Sequence, residues 1–336
     1  MARVAVIGSG SWGTALALVL AQNEHAVTLF GRNAAAIEAM RASRINSKYL
    51  PGAEIPEAVT FSSDLRQAVD DCEFIIMAVP SHGFRATLGK LKKEFKGDKL
   101  RIVNVAKGLE TKTLLRMEEV AEEVLHDCNF EYVMLGGPSH AEEVSRGIPS
   151  TVVAVSHQEH VARAVQKLFM TPTFRVYSHS DVIGAEIGSA TKNVIALAAG
   201  ICDGVGFGDN TKAALITRGL SEISRLGVAL KADPVTFSGL TGMGDLIVTC
   251  MSQHSRNRYV GEQIGRGKTL DQILSEMQMV AEGVRTTEAA YNLSRKHNVE
   301  MPIIDQVYAV LFQQKNPRDA VKALMTREAK AENWGP

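Results

Sequence analysis

The sequence predicts an α/β protein in which a doubly wound sheet is followed by a second, all-helical C-terminal domain. Before about residue 180, short β-rich runs alternate with helix-like segments. Most of these runs are continuously apolar, as expected for parallel strands buried on both faces. Beyond that point apolar residues recur at helical spacing. A chain of 336 residues suits two domains, and we place them at 1–180 and 181–336.

The first half contains six predicted strands, and the segments between them are long enough for the crossover helices of a doubly wound sheet. These strands are 3–7, 26–30, 74–79, 101–105, 132–135 and 151–155. The second half contains predicted helices at 182–201, 212–226, 256–266, 269–278, 284–297 and 302–315. A last helix is predicted to begin at Asn316-Pro317, where a capping residue precedes a proline at the first helical position.

The composition excludes several classes of function. Lysine plus arginine equals aspartate plus glutamate at 37 each, so nothing indicates nucleic acid or an anionic membrane as partner. The apolar runs stop well short of the ~20 residues of a membrane span, and the apolar start resembles a strand rather than a signal peptide. The four cysteines form no CxxC pair and the histidines show no metal-ligand spacing. We therefore expect a cytoplasmic protein with reduced cysteines and no metal.

The first predicted strand runs directly into the segment GSGSWG, which an apolar helix follows. In a dinucleotide-binding turn, Gly8 permits the tight turn, Gly10 lets a pyrophosphate approach the backbone, and Gly13 lets helix and strand pack closely. The helix N-terminus then offers free N–H groups to the phosphates. A merely structural turn is the alternative, but the position between a strand and a helix favours dinucleotide binding.

The end of the second strand bears on cofactor choice. An NAD-specific site has an acidic residue there for the ribose 2′-hydroxyl, whereas this sequence has Phe30-Gly31-Arg32-Asn33. Arg32 could face a 2′-phosphate, which favours NADP(H), or use of both NADP(H) and NAD(H), over strict NAD. A solvated loop arginine is the alternative.

Two lysines are candidates for the chemistry. Lys107 follows the fourth strand, at the sheet edge where ligands collect in α/β proteins; pairing with a surface acid is the alternative. Lys192 lies inside an otherwise apolar helix, a costly position unless the ammonium is paired or reaches water. Burial lowers the pKa of a lysine toward the range of a proton acceptor, as an alcohol undergoing hydride loss requires. The alternative for Lys192 is a structural lysine whose head extends to solvent.

Two further clusters could bind a substrate anion. Asp245 lies among small residues in the segment GLTGMGDL. The segment Ser255-Arg256-Asn257-Arg258 offers a hydroxyl, guanidinium groups and an amide at the start of a predicted helix, a favourable position for phosphate. A helix cap with solvated arginines explains the second cluster equally well.

Together these segments resemble the bacterial-type NAD(P)-dependent glycerol-3-phosphate dehydrogenases. The matching stretches cover nearly the whole chain in the family's order: GSGSWGTALA, VAKGLE, GGPSHAEEV, TKNVIALAAGICDGVGFGDNTKAALITRGL, GLTGMGDLIVTC, SRNR and VAEGV. The block 191–220 is the most specific of them.

The resemblance implies a Rossmann domain joined to a helical domain, with the active site between them and Lys192 as the proton acceptor. It implies the interconversion of sn-glycerol 3-phosphate and dihydroxyacetone phosphate, which supplies phospholipid synthesis, and a homodimer as in relatives. The implied substrate contacts are Lys107, Gly137, Ser139, Lys192, Asp245, Ser255, Arg256 and Asn257. The implied cofactor contacts, with the glycines of the turn, are Ser11, Trp12, Arg32, Tyr49, Lys107, Ala141, Arg256, Val280 and Glu282.

Two departures from the family pattern bear on substrate affinity: His140 stands where many relatives have an aromatic residue, and Gln253-His254 precedes SRN. Another two-domain reductase of the same superfamily is the nearest rival. Such reductases place the partner asparagine several residues beyond the lysine, whereas Asn193 is adjacent. A non-catalytic NAD(P)-binding sensor need not keep Lys192, Asp245 and the SRN segment together, so their co-occurrence argues against it.

Overall fold

The computed structural model describes residues 1–277, 281–329 and 331–332. The chain divides into two compact units. The first comprises Met1–Ala106 and Met117–Val182, and the second comprises Lys107–Arg116 and Ile183–Pro336. The sequence-based division at residue 180 differs in two respects. The boundary lies after Val182, and the short segment Lys107–Arg116 packs with the second unit although it follows a strand of the first.

The first unit is built on a sheet that confirms the predicted fold class. The strands are β1 (Arg3–Ile7), β2 (Ala26–Phe30), β3 (Ile45–Asn46), β4 (Leu50–Glu54), β5 (Val59–Ser62), β6 (Phe74–Met77), β7 (Leu100–Asn104), β8 (Phe130–Gly136), β9 (Ser150–Val155) and β10 (Phe174–His179). In the described residues, eight of them form a sheet in the order β10-β9-β8-β7-β6-β1-β2-β5, and β3 pairs with β4. Apolar residues of β1 and β6 are almost fully buried, as in a sheet covered on both faces.

The helices of the first unit connect these strands. They are α1 (Ser11–Gln22), α2 (Ala34–Ser43), α3 (Leu65–Val69), α4 (Ser81–Glu94), α5 (Met117–Val124), α6 (Ala141–Val144) and α7 (Glu159–Phe169). Helix α1 begins at Ser11, so Gly13 lies in its first turn, and the predicted order of strand, glycine turn and helix at the start of the chain is confirmed.

The second unit is helical in its described part. Its helices are α8 (Val182–Val205), α9 (Asp209–Ala229), α10 (Asp245–Met251), α11 (Arg256–Gly265), α12 (Leu270–Glu276), α13 (Glu282–Lys296), α14 (Pro302–Phe312) and α15 (Pro317–Met325). Short helical turns at Pro234–Ser238 and Leu240–Gly244 lead into α10. The predicted cap of the last helix is confirmed, because the Asn316 side chain accepts a hydrogen bond from the N–H of Arg318. Helix α12 ends at Glu276, two residues before the end of the predicted helix 269–278, whose last residue lies outside the described residues.

The sequence analysis missed strand β10 and the direction of one strand pairing, each for a local reason. Strand β10 alternates between buried and exposed residues, unlike the continuously apolar runs on which the predictions rested. The pairing of β8 with β9 is antiparallel, a correction to the expectation of parallel neighbours. The connection between these two strands contains only the four-residue helix α6, in place of the longer crossover helix that usually joins parallel neighbours.

Helices α8 and α11 pack with their backbones in close contact. A Cβ atom on Gly200 would lie 1.9 Å from the carbonyl oxygen of Arg258, and one on Gly261 would lie 2.0 Å from that of Leu197. Only glycine allows such an approach, so these positions fix where α11 begins relative to α8. Among the residues that the structure describes, no helix combines the length and apolarity that a membrane crossing requires.

Candidate active site

Lys192 lies in the buried middle of α8 with only 4% of its surface exposed. Its ammonium forms an ion pair with Asp245 Oδ1 and donates a hydrogen bond to Thr249 Oγ1 at 2.6 Å. The ammonium is therefore paired inside the protein rather than extended to solvent. This arrangement offsets part of the desolvation cost of a charge in an apolar helix.

Asp245 joins the two predicted lysines. Its Oδ2 atom accepts a hydrogen bond from Lys107 Nζ at 2.8 Å, while Oδ1 contacts Lys192. Asp245 is 1% exposed, and Lys107, on the short segment that packs with the helical unit, is partly buried. Lys107 is thus paired with a buried acid, not with the surface acid that the sequence left open as its alternative.

The cluster shifts the pKa values of its members. Burial lowers the pKa of Lys192 to about 8, against the opposing effect of Asp245 and with a further contribution from the charge of Lys107. Burial by itself would raise the pKa of Asp245, but the two ammonium groups outweigh it and the net pKa is lowered. The cluster therefore presents an ionised carboxylate beside an amine that can gain or lose a proton near neutral pH.

Thr249 is a member of this cluster that sequence reasoning missed. Its hydroxyl accepts from Lys192 and donates at 2.6 Å to the main-chain carbonyl of Asp245, one helical turn earlier. Because that carbonyl takes the hydroxyl proton, a lone pair of Thr249 faces the ammonium. The spacing of four residues between Asp245 and Thr249 places both on one face of α10, which is the signal that could have found it.

A chain of carboxamide hydrogen bonds extends from the same region. The N–H of Gly283 donates to Asn257 Oδ1, and Asn257 Nδ2 donates to Asn193 Oδ1, both at 2.9 Å. Asn193 Nδ2 donates in turn to the carbonyl of Lys107 at 3.2 Å. The chain connects Gly283, the second residue of α13, with the segment that carries Lys107. The main-chain N–H of Gly283 can only donate, so the side-chain oxygen of Asn257 must face it and the Asn257 NH₂ group must face Asn193.

The predicted anion-binding segment forms the first turn of α11. Ser255 caps the helix, and its Oγ accepts a hydrogen bond from the N–H of Arg258 at 3.2 Å. Ser255 and Asn257 are buried, whereas Arg256 is exposed. The capping alternative is thus correct for the Ser255 hydroxyl, and the helix N-terminus with Arg256 still provides the donors and positive charge that a phosphate favours.

In the first unit, the glycine turn has the shape that a pyrophosphate requires. Gly8 has φ +125°, a conformation that suits glycine. A Cβ on Gly13 would lie 1.9 Å from the carbonyl oxygen of Gly8, whereas one on Gly10 would meet nothing within 4 Å. Gly10 precedes α1 without a side-chain cap. The open space at Gly10 and the uncapped helix N-terminus fit a bound nucleotide diphosphate.

Two side chains around this turn add to its description. The amide of Asn46, which sequence reasoning missed, donates to the carbonyl of Ser9 at 3.0 Å and to Thr14 Oγ1 at 2.8 Å. Trp12 Nε1 is buried without a hydrogen-bond partner among the described residues. An indole N–H in such a position normally finds an acceptor, so the turn offers a donor suited to a ligand oxygen. Ser11, beside Trp12, is partly buried.

The remaining predicted residues lie in different places. Arg32 is exposed after β2, Tyr49 is partly buried between β3 and β4, and Ala141 is buried at the start of α6. Gly137 follows β8 with φ +133°, and its carbonyl accepts from Ser139 Oγ at 3.0 Å.

In the helical unit, Glu282 is the first residue of α13, and Val280 lies outside the described residues. Of the two departures from the family pattern, His140 occupies the N-cap position of α6 without a side-chain capping hydrogen bond, and His254 is exposed before Ser255.

The structure therefore brings Lys107, Lys192, Asp245 and Asn257 into one hydrogen-bonded cluster within the helical unit, together with Asn193 and Thr249. The glycine turn, Arg32, Tyr49, Gly137, Ser139 and Ala141 belong to the other unit. Within the described residues, no three or more His, Cys, Asp or Glu side chains are grouped so that they could hold a metal ion.

A mostly parallel sheet with this glycine turn in one unit, and a buried lysine and carboxylate in a helical second unit, together define a two-domain dehydrogenase of the dinucleotide-binding class. Residues 3–162 match the N-terminal domain of the NAD-dependent glycerol-3-phosphate dehydrogenases, and residues 181–322 match their C-terminal domain. The chain belongs to this family, and the resemblance inferred from the sequence is confirmed.

Relatives and a solved structure agree with this membership. The chain is 51% identical to glycerol-3-phosphate dehydrogenase [NAD(P)+] 1 of Salinibacter ruber, over 100% of this chain and 98% of the relative. It is 50% identical to glycerol-3-phosphate dehydrogenase [NAD(P)+] of Fusobacterium nucleatum, over 99% of each chain. The crystal structure of glycerol-3-phosphate dehydrogenase from Coxiella burnetii superposes with a TM-score of 0.93 at 34% identity, covering 97% of this chain and 99% of that one.

Proposed function

We propose that this chain is an NAD(P)-dependent dehydrogenase that interconverts sn-glycerol 3-phosphate and dihydroxyacetone phosphate. Family membership supports the reaction and the cofactor. The observation that carries the proposal is the pairing of buried Lys192 with Asp245, next to Lys107. An amine whose pKa is about 8 can serve as acid in one direction and as base in the other.

Lys192 is the catalytic acid and base of this proposal. In oxidation its neutral amine accepts the proton of the substrate's C2 hydroxyl, and in reduction its ammonium returns a proton to the carbonyl oxygen. Asp245 and Thr249 hold Nζ at a defined position and stabilise its charged form. Lys107, whose ammonium donates to Asp245 Oδ2, supplies a second positive charge to the site. That charge would stabilise the substrate carbonyl oxygen, which becomes negative during reduction.

The cofactor is NADP(H) and/or NAD(H), and when bound it supplies or accepts the hydride. The turn formed by Gly8, Gly10 and Gly13 would hold the pyrophosphate, and its geometry and the buried indole N–H of Trp12 support this role. Arg32 would face a 2′-phosphate. The other proposed cofactor contacts are Ser11, Tyr49, Lys107, Ala141, Arg256, Val280 and Glu282.

The substrate phosphate would bind at the first turn of α11, where Ser255, Arg256 and Asn257 are gathered. The exposed guanidinium of Arg256 and the N-terminus of α11 provide complementary charge. The substrate also contacts Gly137 and Ser139 in this proposal. Residues 1–180 then form the dinucleotide-binding domain and residues 181–336 the substrate-binding domain, and Lys107, Gly137 and Ser139 of the first domain also contact the substrate.

The proposal extends to the setting of the enzyme. It is a cytoplasmic homodimer whose reducing direction supplies glycerol 3-phosphate for phospholipid synthesis. The decisive experiment follows the loss of NADPH and NADH absorbance with dihydroxyacetone phosphate. In parallel it follows the gain of that absorbance from oxidised cofactor with glycerol 3-phosphate, 2-hydroxy and 3-hydroxy acids and 6-phosphogluconate. Turnover confined to dihydroxyacetone phosphate and glycerol 3-phosphate supports the proposal. Turnover of another substrate alone contradicts it.

A further inference from the structure

An ion cluster in the helical unit lies outside the residues assigned to chemistry. The Asp203 carboxylate on α8 contacts cations from two other helices. Its Oδ2 atom accepts a hydrogen bond from Arg258 Nε on α11 at 2.7 Å and forms an ion pair with Arg258 Nη2 at the same distance. Its Oδ1 atom lies 2.5 Å from Lys212 Nζ on α9. The three side chains are 14–20% exposed, so solvent screens them less than a surface pair.

Arg258 belongs to the turn that we assign to the substrate phosphate. Its N–H is the group that Ser255 Oγ caps, and Asn257 precedes it in the chain. The backbone of Arg258 is also held by α8, because Gly200 packs against its carbonyl oxygen. Helix α8 therefore anchors the first turn of α11 twice, through the backbone at Gly200 and through the side chain at Asp203.

The same helix carries the proposed catalytic lysine. Lys192 and Asp203 are separated by eleven residues on α8, about 16 Å of helix at the standard rise. A continuous helix transmits position along its length with little bending. The ion pair of Asp203 with Arg258 consequently sets where the phosphate-binding turn stands relative to the amine that exchanges the proton.

We propose that Asp203 is a positioning residue for recognition of the substrate phosphate. It orients the turn of Ser255, Arg256 and Asn257 through Arg258 and does not itself touch the substrate. This inference rests on the proposed function, since it assumes that the turn binds a phosphate. A merely structural role would instead affect all substrates alike.

The test compares a phosphorylated substrate with its phosphate-free counterpart. Wild type and Asp203→Asn are assayed with dihydroxyacetone phosphate and, at high enzyme concentration, with dihydroxyacetone. Inorganic phosphate is used as a competitive probe of the turn. We expect KM for dihydroxyacetone phosphate and the inhibition constant of phosphate to rise about tenfold, the scale of one lost charge-assisted contact. We expect kcat to change less than about threefold, because the proton-transfer cluster is intact.

The control is Glu262→Gln, which removes a carboxylate that approaches Arg258 only to 3.8 Å; we expect near wild-type constants for it. If Asp203→Asn does not fold, Arg258→Lys decides by the same criteria, because lysine keeps the charge without the two adjacent donors. Equal losses on both substrates, or an unchanged phosphate inhibition constant, would overturn the inference. Wild-type protein without activity on dihydroxyacetone phosphate would instead refute the proposed function itself.

Discussion

Lys192 and Asp245 form an ion pair in which the two side chains are only 5% and 2% exposed. The residues are 53 positions apart in the chain and come from α8 and α10. Removing Asp245 would leave the Lys192 ammonium buried without its counterion, which is costly, whereas removing Lys192 would leave Asp245 paired with Lys107 alone. The pair therefore depends on both residues, and its protonation controls the proposed chemistry.

Replacing Lys192 with alanine should reduce turnover by roughly 10²–10⁴-fold, the usual effect of a positioned acid or base. Cofactor binding, measured by fluorescence titration with NADPH, should change little, because the turn at Gly8 belongs to the other unit. The control is Lys268→Ala, which removes a surface lysine paired with Glu276. Near-normal turnover of the Lys192 variant would remove this residue from the mechanism.

The pH dependence should have opposite signs in the two directions. Oxidation needs the neutral amine, so kcat should rise with pH and level off above about 8, the pKa of Lys192. Reduction needs the ammonium, so kcat should fall as pH rises through the same value. Initial rates from pH 6 to 10 in both directions test this. If kcat changed with pH in the same direction for oxidation and reduction, another group would be responsible. The same conclusion would follow if the Lys192→Ala variant kept the pH dependence of the wild type.

Replacing Thr249 with valine should lower turnover by about 10- to 100-fold, since a hydrogen bond to a charged group contributes about 1.5–3 kcal/mol. Valine has nearly the shape of threonine but cannot accept from the ammonium of Lys192. Thr191→Val is the matched control, because Thr191 is a buried residue of α8 whose hydroxyl donates to Ile187 four residues earlier. Equal rates for the two variants would show that the hydroxyl of Thr249 does not act on the lysine.

Replacing Arg32 with aspartate should move cofactor preference from NADPH toward NADH. Arg32 is exposed after β2, where an acidic residue can accept hydrogen bonds from the ribose hydroxyls and would repel a 2′-phosphate. The measurement is the ratio of kcat/KM for the two cofactors. Arg66→Asp, an equal charge change at another exposed position of the first unit, serves as control. A ratio that is equal in wild type and Arg32→Asp would contradict the assignment.

Glu222 should make stability depend on pH. It is 3% exposed on α9 and accepts from the N–H of Ile303 at 2.8 Å, and burial raises its pKa to about 8. The folded state thus keeps a proton that the unfolded chain releases near its ordinary pKa of 4.5. The contribution of Glu222 to stability is complete below about pH 4.5 and is lost as pH rises toward 8.

Replacing Glu222 with glutamine should remove this dependence, because the amide oxygen still accepts from Ile303 but does not titrate. The free energy of unfolding, from urea titrations at pH 5, 6.5 and 8, should fall with pH by up to about 1.4 kcal/mol per unit in wild type. The slope should be shallower in the variant. Identical slopes would show that Glu222 does not titrate in this range.

Local patterns predicted those parts of the fold in which one segment specifies its own structure. The glycine turn, β1 and β2 have the bounds read from the sequence, because a buried parallel strand and its turn require particular residues in an uninterrupted run. Strand β10, with an exposed face, and the π-helical turn before α10 lacked such a local pattern. The antiparallel pairing of β8 with β9 depends on the path of the connection between them, and the residues of the two strands do not specify that path.

The candidate site divides in the same way. Lys192, Asp245 and Lys107 could each be selected from the sequence. A lysine in an apolar helix and an acid among glycines are locally unusual, and Lys107 closely follows a predicted strand. Their convergence on one carboxylate could not, since Lys107 and Asp245 are 138 residues apart and only packing brings them together. Asp203 resembles an ordinary helix residue until its partners on other helices are known, and Thr249 is marked in the sequence only by its spacing from Asp245.

The sequence by itself determined the class of protein: a nucleotide-binding glycine turn after the first strand, and an ammonium in an apolar helix that has to be paired. The tertiary structure alone decided which groups meet that ammonium and how the turn of Ser255 is anchored. The physical reason is that a backbone's local preferences act within a few residues, whereas desolvation and charge pairing act between whatever groups packing encloses together.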